Sequence, residues 1–330
     1  MKISLSEAVT ALRQAQHVVI TAHINPDGDA IGSSLGLMHA LTSLGKECRV
    51  YIDDDLREIF RVLPGFDVIQ RPDKEQPAPI EGADLLVVLD TTLDRTGRIH
   101  KLCTAPVLNI DHHVTNDAQA ERAYVDGSRA ACAEIVCEIV RELGVPFAGH
   151  KELAMCLYTG LATDTGFFSF SNTTAHTMHT AADLLAAGVQ PNVISEALEK
   201  RPFDDVQSLA KALNRIELWH DGRAAGVFLD CTQMAELTHT EGLIDMVRVI
   251  DGTDVAVVMK EKEAGKIRVS MRSTGLDVAA ICKQFGGGGH VRAAGCGFKD
   301  VPFAEARQRL LAALDTALDS YQPTNPTKTA

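Results

Sequence analysis

Residues 22–32 read Ala-His-Ile-Asn-Pro-Asp-Gly-Asp-Ala-Ile-Gly, which sets one imidazole, His23, and two carboxylates, Asp27 and Asp29, on a tight turn after an apolar run. Asp90 ends a second apolar run, Leu85 to Leu89, and Asp111-His112-His113 ends a third, Val107 to Ile110. Asp164 lies in Thr163-Asp164-Thr165-Gly166. Oxygen-rich ligand sets with some imidazole suit Mn²⁺, Mg²⁺ or Fe²⁺, whereas structural zinc usually recruits thiolates; no cysteine sits among these motifs. Two divalent ions roughly 3.5–4 Å apart can share a carboxylate and generate a nucleophile for in-line attack at phosphorus. Pro26 fixes φ and Gly28 permits the sharp turn that would aim Asp27 and Asp29 inward together. The same residues have a plainer use, because Asp27 or Asp29 could cap a helix starting near Ala30, and a His-His pair is commonly filler. The joint occurrence of four motifs, each expected at a strand end, favours the metal site.

The order His-x-x-x-Asp-x-Asp, strand-end Asp, Asp-His-His, Thr-Asp-Thr-Gly resembles the DHH phosphoesterase superfamily over nearly the whole N-terminal half. A second signature, Val269-Ser270-Met271-Arg272-Ser273 followed by Gly286-Gly287-Gly288-Gly289-His290-Val291-Arg292-Ala293-Ala294-Gly295, is similar to the DHH-associated C-terminal domain of the stand-alone nanoRNase/pAp phosphatase group. The resemblance implies that His23, Asp27 and Asp90 hold one metal and Asp29, Asp90, His112 and Asp164 the other, with Asp90 as the bridge. It also implies a second-sphere role for Asp111, orienting His112 or His113, and a contact between His113 and the scissile phosphate. Arg272, Ser273, Gly287, Gly288, Gly289, His290 and Arg292 would grip the nucleotide. A planar guanidinium suits a terminal phosphate, although Arg272 could instead pair with Asp277, and four glycines could be a bare flexible loop. One departure is visible: Ala130-Ala131-Cys132 stands where relatives tend to carry Ser-Ser-Thr, which puts a hydroxyl contact to substrate there in doubt.

These side chains need a scaffold, and the rhythm of the chain is strand then helix. Strands are expected at Val18 to Ala22, Cys48 to Ile52, Leu85 to Leu89 and Val107 to Ile110, with helices at 30–44, 55–63, 131–143, 151–163, 174–187 and 193–199. The fold class is α/β: a parallel-sheet domain of right-handed βαβ units, ligands at the strand carboxyl ends, joined by a helical linker to a smaller α/β domain. Gly45, Gly144 and Gly188 fall where helix C-caps belong. Strands at Ala224 to Leu229, Val255 to Met259 and Lys266 to Met271 mark the second domain. The division is a catalytic metal-binding domain at 1–190, a helical linker at 191–222, a substrate-binding domain at 223–321 and a mobile tail at 322–330.

A length of 330 residues and 45% hydrophobic content fit two packed domains. The eight cysteines contain no Cys-x-x-Cys and mostly sit in apolar surroundings, as reduced core residues do. No signal-type or membrane-spanning apolar run is present, so a cytoplasmic protein with no membrane partner is expected. The net charge of −12 argues against an extended basic groove for long nucleic acid. Very short substrates escape that objection, and Val255 to Arg309 carries ten Lys/Arg against five Asp/Glu, where phosphate would be gripped. The expected activity is Mn²⁺-dependent hydrolysis of oligonucleotides of 2–5 nucleotides, RNA or DNA, to nucleoside 5′-monophosphates, with pAp 3′-phosphatase action beside it. The alternatives are a phosphodiesterase for cyclic or linear dinucleotides (c-di-AMP, pApA, pGpG), a pyrophosphatase, and a non-catalytic nucleotide sensor. The last requires a missing ligand, and none is missing. The resemblance further implies a homodimer through the catalytic domain.

Overall fold

Runs such as Leu85-Leu86-Val87-Val88-Leu89 are apolar at every position, which only a strand covered on both faces can satisfy. In the computed structural model, which describes residues 1–322, the chain divides into two compact units, the first over 1–200 and the second from Arg201 onward.

Unit 1 runs α1 (Leu5–Gln14), β1 (His17–Thr21), α2 (Gly28–Ser43), β2 (Glu47–Val50), β3 (Leu85–Leu89), α3 (Ile99–Leu102), β4 (Val107–Asp111), β5 (Arg122–Val125), α4 (Cys132–Leu143), α5 (Lys151–Asp164), α6 (Ala175–Ala186) and α7 (Pro191–Glu199). Its sheet is parallel throughout, in the order β2-β1-β3-β4-β5. The chain leaves β1 toward β2 on one side and returns as β3 on the other. The strand order therefore reverses between β1 and β3, and the crevice beyond their carboxyl ends is the place where such sheets bind ligands.

Two features bring distant residues to that crevice. Helix α2 carries Gly28, Gly32 and Gly36 on one face, and α5 lies against it in the opposite direction. A methyl on Gly28 would sit 2.4 Å from Thr163, one on Gly32 would sit 2.5 Å from the Cys156 carbonyl and 2.8 Å from the Gly160 nitrogen, and one on Gly36 would sit 2.4 Å from Leu157. Only glycine permits this approach, which lays the start of α2 beside the end of α5. Leu12, Ile20, Ile31, Leu35 and Leu89, among others, are fully buried in the surrounding core, each contributing roughly 1.5–3 kcal/mol.

Unit 2 runs α8 (Phe203–Leu213), β6 (Glu217–Trp219), β7 (Ala224–Leu229), α9 (Cys231–Ala235), α10 (Leu243–Val247), β8 (Val255–Glu263), β9 (Lys266–Ser273), α11 (Val278–Lys283), β10 (Gly288–His290), β11 (Ala293–Lys299) and α12 (Phe303–Ser320). Its mixed sheet has the order β10-β11-β9-β8-β7-β6, parallel only at β7/β8.

Several expectations need correction. Segment 55–63 is not an α-helix but a 3₁₀ turn over Glu58–Val62; Pro64 follows at once, and Asp55 is held in an ion pair with Arg71. Asp164 ends helix α5 rather than a strand. The helices placed in a linker divide, with α7 in unit 1 and α8 in unit 2. Gly45, Gly144 and Gly188 do adopt the left-handed conformation at helix ends. All eight cysteines are free, five of them buried. The expected tail, apart from its first residue, lies outside the described residues. Among the described residues, no helix is long and apolar enough to cross a membrane.

Candidate metal centre

The loop after β1 supplies His23 and Asp27, the first turn of α2 supplies Asp29, the residue after β3 is Asp90, the end of β4 supplies Asp111, His112 and His113 follow, and α5 ends on Asp164. Candidate ligand atoms from His23, Asp27 and Asp90 lie within 4.8 Å of one another, and so do those of Asp29, His112 and Asp164, and those of Asp90, Asp111, His112 and His113. All eight residues singled out in the N-terminal half are thus brought together.

Asp90 stands between two of these groups. Its Oδ2 is 3.5 Å from His23 Nε2 and its Oδ1 is 3.3 Å from His112 Nε2, while His112 Nε2 is also 3.5 Å from Asp164. The residue is 2% exposed, has φ of 60°, and its Oδ1 has no hydrogen-bond partner. A left-handed, non-glycine backbone costs about 1–3 kcal/mol and persists only where its surroundings enforce it. A buried carboxylate oxygen without a hydrogen bond, flanked by imidazoles and carboxylates, is the donor chemistry a divalent cation requires. The residues fit a pair of such ions.

The electrostatics agree. Burial opposes charge on His23, yet Asp27 and Asp90 outweigh it and raise its pKa to about 10. Burial likewise opposes charge on His112, and Asp90, Asp29 and Asp164 raise it to about 10. Burial, with Asp90 and Asp27 adding to it against His112, pushes Asp164 to about 7, and burial beside Asp90 and Asp164 raises Asp29. Without metal the cluster therefore retains protons as substitutes for cations.

Asp27 also caps α2, accepting from the Asp29 and Ala30 N–H groups at 3.0 Å. Capping and ligation are compatible, since only Oδ1 accepts these bonds. Asp29 does something the sequence hid: its carboxylate accepts from the backbone N–H of Cys132 (2.6 Å) and Ala133 (2.8 Å), at the start of α4. Ala131, at the N-cap of that helix, offers no side-chain oxygen, so Asp29 caps α4 from a different element. The Ala130-Ala131-Cys132 departure thus leaves the helix start satisfied.

Of the two histidines, His113 is the one Asp111 orients: His113 Nδ1 donates to Asp111 Oδ1 at 2.8 Å, and the His113 backbone N–H donates to the same oxygen. Asp111 raises the His113 pKa against burial. His112 instead directs Nδ1 to the Arg129 carbonyl at 3.4 Å.

In unit 2, Arg272 pairs in register with Ala293, beside the hairpin of β10 and β11, which carries His290 at the end of one strand and Arg292 at the tip. The Arg292 carbonyl accepts from the Ser273 N–H at 3.0 Å and the Val291 carbonyl accepts from Val278 N–H at 2.9 Å, which pins the tip. Arg272, Ser273, His290 and Arg292 thus share one corner of the sheet. Arg272 does not pair with Asp277, which caps α11; its Nη1 donates to the Met271 carbonyl, and burial lowers its pKa. The Ser273 hydroxyl donates to the Leu276 carbonyl. Gly287 and Gly289 are needed for close backbone contact, since a methyl would sit 2.2 Å from the Gly295 oxygen and 2.5 Å from the Ala293 oxygen, respectively; Gly288 has open space.

The family described as "DHH family, N-terminal domain" matches residues 17–161, and the "DHHA1 domain" matches residues 232–320. A Thermus thermophilus protein named "Bifunctional oligoribonuclease and PAP phosphatase NrnA" is 35% identical over 90% of this chain and 89% of its own. The chain belongs to the DHH family. The Bacillus subtilis protein of the same name is 26% identical over 96% of this chain and 99% of its own. An exopolyphosphatase-related protein from Bacteroides fragilis, 24% identical, superposes with a TM-score of 0.83 over 96% of both chains and so shares the fold.

Two residues of the DHH domain escaped the sequence reading. Asn109, fully buried in β4, donates to the Val88 and Thr91 carbonyls, and Asn116 donates to Asn109 Oδ1 at 2.8 Å and to Asp111 Oδ2 at 2.7 Å. This amide chain ties Asp111, and through it His113, to the sheet. The available signal was a lone amide in the otherwise apolar run Val107-Leu108-Asn109-Ile110.

Proposed function

We propose that this protein is a two-metal phosphohydrolase that degrades oligonucleotides of a few nucleotides to nucleoside 5′-monophosphates and removes the 3′-phosphate of pAp. The observation that carries the reading is the Asp90 carboxylate, with one oxygen toward His23 and the other toward His112 and the Asp164 side. The names of the Thermus and Bacillus relatives support the substrate class.

In this reading His23, Asp27 and Asp90 hold one ion and Asp29, Asp90, His112 and Asp164 the other. The oxygen and imidazole set, without thiolate, favours Mn²⁺. When bound, such a pair supplies Lewis acidity toward phosphate and makes water nucleophilic near neutral pH. The chain supplies the rest. Asp111 holds Nδ1 of His113, so Nε2 is the ring nitrogen that would meet phosphate, and the Asp111 carboxylate favours the charged imidazolium that would pass a proton to the departing oxygen. Arg272, Ser273, Gly287, Gly288, Gly289, His290 and Arg292 bind the nucleotide, Arg272 and Arg292 through phosphate. The excess of acidic residues, 44 against 32 basic, suits a substrate too short to need a long cationic track. Action in the cytoplasm and assembly as a homodimer through the DHH domain belong to the same reading.

The test is product release by metal-stripped protein resupplied with Mn²⁺ and offered pApA, a 5-mer, a 24-mer RNA, pAp, c-di-AMP and pyrophosphate in parallel. Rapid conversion of the short linear species and pAp, with the 24-mer slow, is expected. Activity confined to pyrophosphate or to c-di-AMP would overturn the substrate assignment.

A further inference from the structure

Glu134 is an acidic residue that the proposed chemistry does not use, and it is 1% exposed. It takes the third position of α4, from which a glutamate commonly reaches back to the N–H of the N-cap residue. Here it reaches one residue further, and its Oε2 accepts from the Ala130 N–H at 2.6 Å. Oε1 meets His176 Nδ1 at 2.7 Å, so both oxygens of the buried carboxylate have partners.

The Ala130 N–H belongs to the peptide group whose other end is the Arg129 carbonyl, and that carbonyl is the partner of His112 Nδ1 at 3.4 Å. A carbonyl can only accept, so Nδ1 carries the proton. Nε2 is then the ring nitrogen turned to Asp90 and Asp164. Carboxylate, peptide and imidazole stand in a row, the imidazole donating to the peptide and the peptide to the carboxylate. A ligating histidine usually gives its second N–H to a carboxylate or a carbonyl, which fixes the ring and raises its basicity. In this chain a carboxylate acts on the carbonyl from behind, and hydrogen bonds in series strengthen one another. The next peptide is tied down as well: Asn172 Nδ2 donates to the Ala130 carbonyl and to the Asp164 carbonyl, each at 3.1 Å. The segment that holds His112 is thereby fastened to the end of α5, which carries Asp164.

We infer that Glu134 is a positioning residue for the metal centre, orienting and polarising His112 through the Arg129–Ala130 peptide. This rests on the proposed function and deepens it by giving a role to a residue outside the ligand set. An acid in the first turn of a helix also has a plainer use, its attraction to the positive end of the helix dipole, and the experiment separates the two.

Wild type, Glu134→Gln and Glu138→Gln are compared. In Glu134→Gln the amide oxygen still accepts from the Ala130 N–H and the amide nitrogen faces His176 Nδ1, which a neutral imidazole can offer as an acceptor. The fold is kept while the charge is lost, as melting temperature and far-ultraviolet spectrum will check. Glu138→Gln removes the same charge one turn along α4, where the carboxylate meets the side chains of Arg129 and His176. In metal-stripped protein labelled with ¹⁵N-histidine, the chemical shift of the His112 Nδ1–H proton, assigned by its absence from His112→Gln, reports the strength of its hydrogen bond. The resonance is expected to move upfield in Glu134→Gln and to stay in place in Glu138→Gln. Calorimetry should show the Kd for Mn²⁺ raised about tenfold in Glu134→Gln and close to wild type in Glu138→Gln. An unmoved resonance or a wild-type Kd in Glu134→Gln, or the same changes in Glu138→Gln, would overturn the inference. A wild type that binds no Mn²⁺ would overturn the metal centre beneath it instead, and the resonance, read without metal, would still decide the role of Glu134.

Discussion

Gly32→Ala tests whether the close crossing of α2 and α5 sets the metal centre. The new methyl would lie 2.5 Å from the Cys156 carbonyl oxygen and 2.8 Å from the Gly160 nitrogen, both backbone atoms that no rotamer change can move. Relief to an ordinary contact of about 3.5 Å requires the helices to separate locally by about 1 Å. Asp27 and Asp29 begin α2 and Asp164 ends α5, so the separation opens the distance between proposed ligands. Metal sites hold their distances within about 0.2 Å, so the shift is several times the tolerance. Overpacking should cost about 1–3 kcal/mol, seen as a melting temperature lower by about 2–12 °C for a unit of this size. Mn²⁺ affinity, measured by calorimetry on metal-stripped protein, should fall at least about tenfold. Gly36→Ala is the control, because its methyl meets only the movable end of Leu157 and lies two helical turns from Asp29. It should lose stability but keep metal affinity. Normal Mn²⁺ affinity in Gly32→Ala alongside the lowered melting temperature would refute the claim that helix spacing positions the ligands.

Metal binding at pH 7 should release about two to three protons, because His23 and His112 titrate near 10 and Asp164 near 7 in the metal-free cluster and ligands must bind deprotonated; calorimetry in two buffers of different ionisation enthalpy counts them, and a count of zero contradicts the electrostatics. The sign for stability follows: all three groups hold more protons folded than unfolded, so metal-free stability falls between about pH 4 and 7 through Asp164 and between about pH 6.5 and 10 through the histidines, visible in melts at pH 6 and 9. Asn116→Leu should reduce kcat about 10- to 100-fold through loss of the Asp111 and His113 alignment, while Mn²⁺ affinity stays within a few-fold because His112 does not depend on Asn116; a metal affinity that collapses with kcat would show that the amide chain supports the ligands instead. Gly289→Ala should disrupt the pairing of β10 with β11, where φ is 139°, raising KM for pApA at least about tenfold with Mn²⁺ binding in the DHH domain intact; an unchanged KM would remove the hairpin from substrate binding.

The apolar strands were legible because a fully buried parallel strand has no other composition, and β3 coincides with the expected Leu85 to Leu89. The candidate ligands were legible because acids and imidazoles at the ends of such runs have few structural uses. Asp164 was grouped with the strand-end ligands although a helix was expected at 151–163; the helix is there as α5 and Asp164 closes it, brought to the other ligands by the glycine contacts between α5 and α2. The Gly28, Gly32, Gly36 spacing was present in the sequence and meaningless without its partner helix. The bond from Asp29 to Cys132 joins residues 103 apart, and no local pattern encodes such a pair. Asn116 was invisible for the same reason, since an Asn-Asp pair in a loop is ordinary turn chemistry until its amide is seen on Asp111.

The unfavourable terms of the DHH domain fall on Asp90 more than on its neighbours. Its left-handed backbone, its burial and its unbonded oxygen each work against folding by about 1–3 kcal/mol, a large share of a total stability of order 5–15 kcal/mol. A residue with a merely structural duty would have relaxed to glycine or asparagine, or acquired a hydrogen bond. The strand-order reversal explains why this position bears the load: β1 and β3 end side by side, so the residue after β3 is the one place from which a single carboxylate can face both the loop after β1 and the turn after β4. A ligand that binds only the folded state recovers the deficit in proportion to ln(1 + [L]/Kd). The strain at Asp90 and the affinity of the centre for cations are then two measures of the same preorganisation.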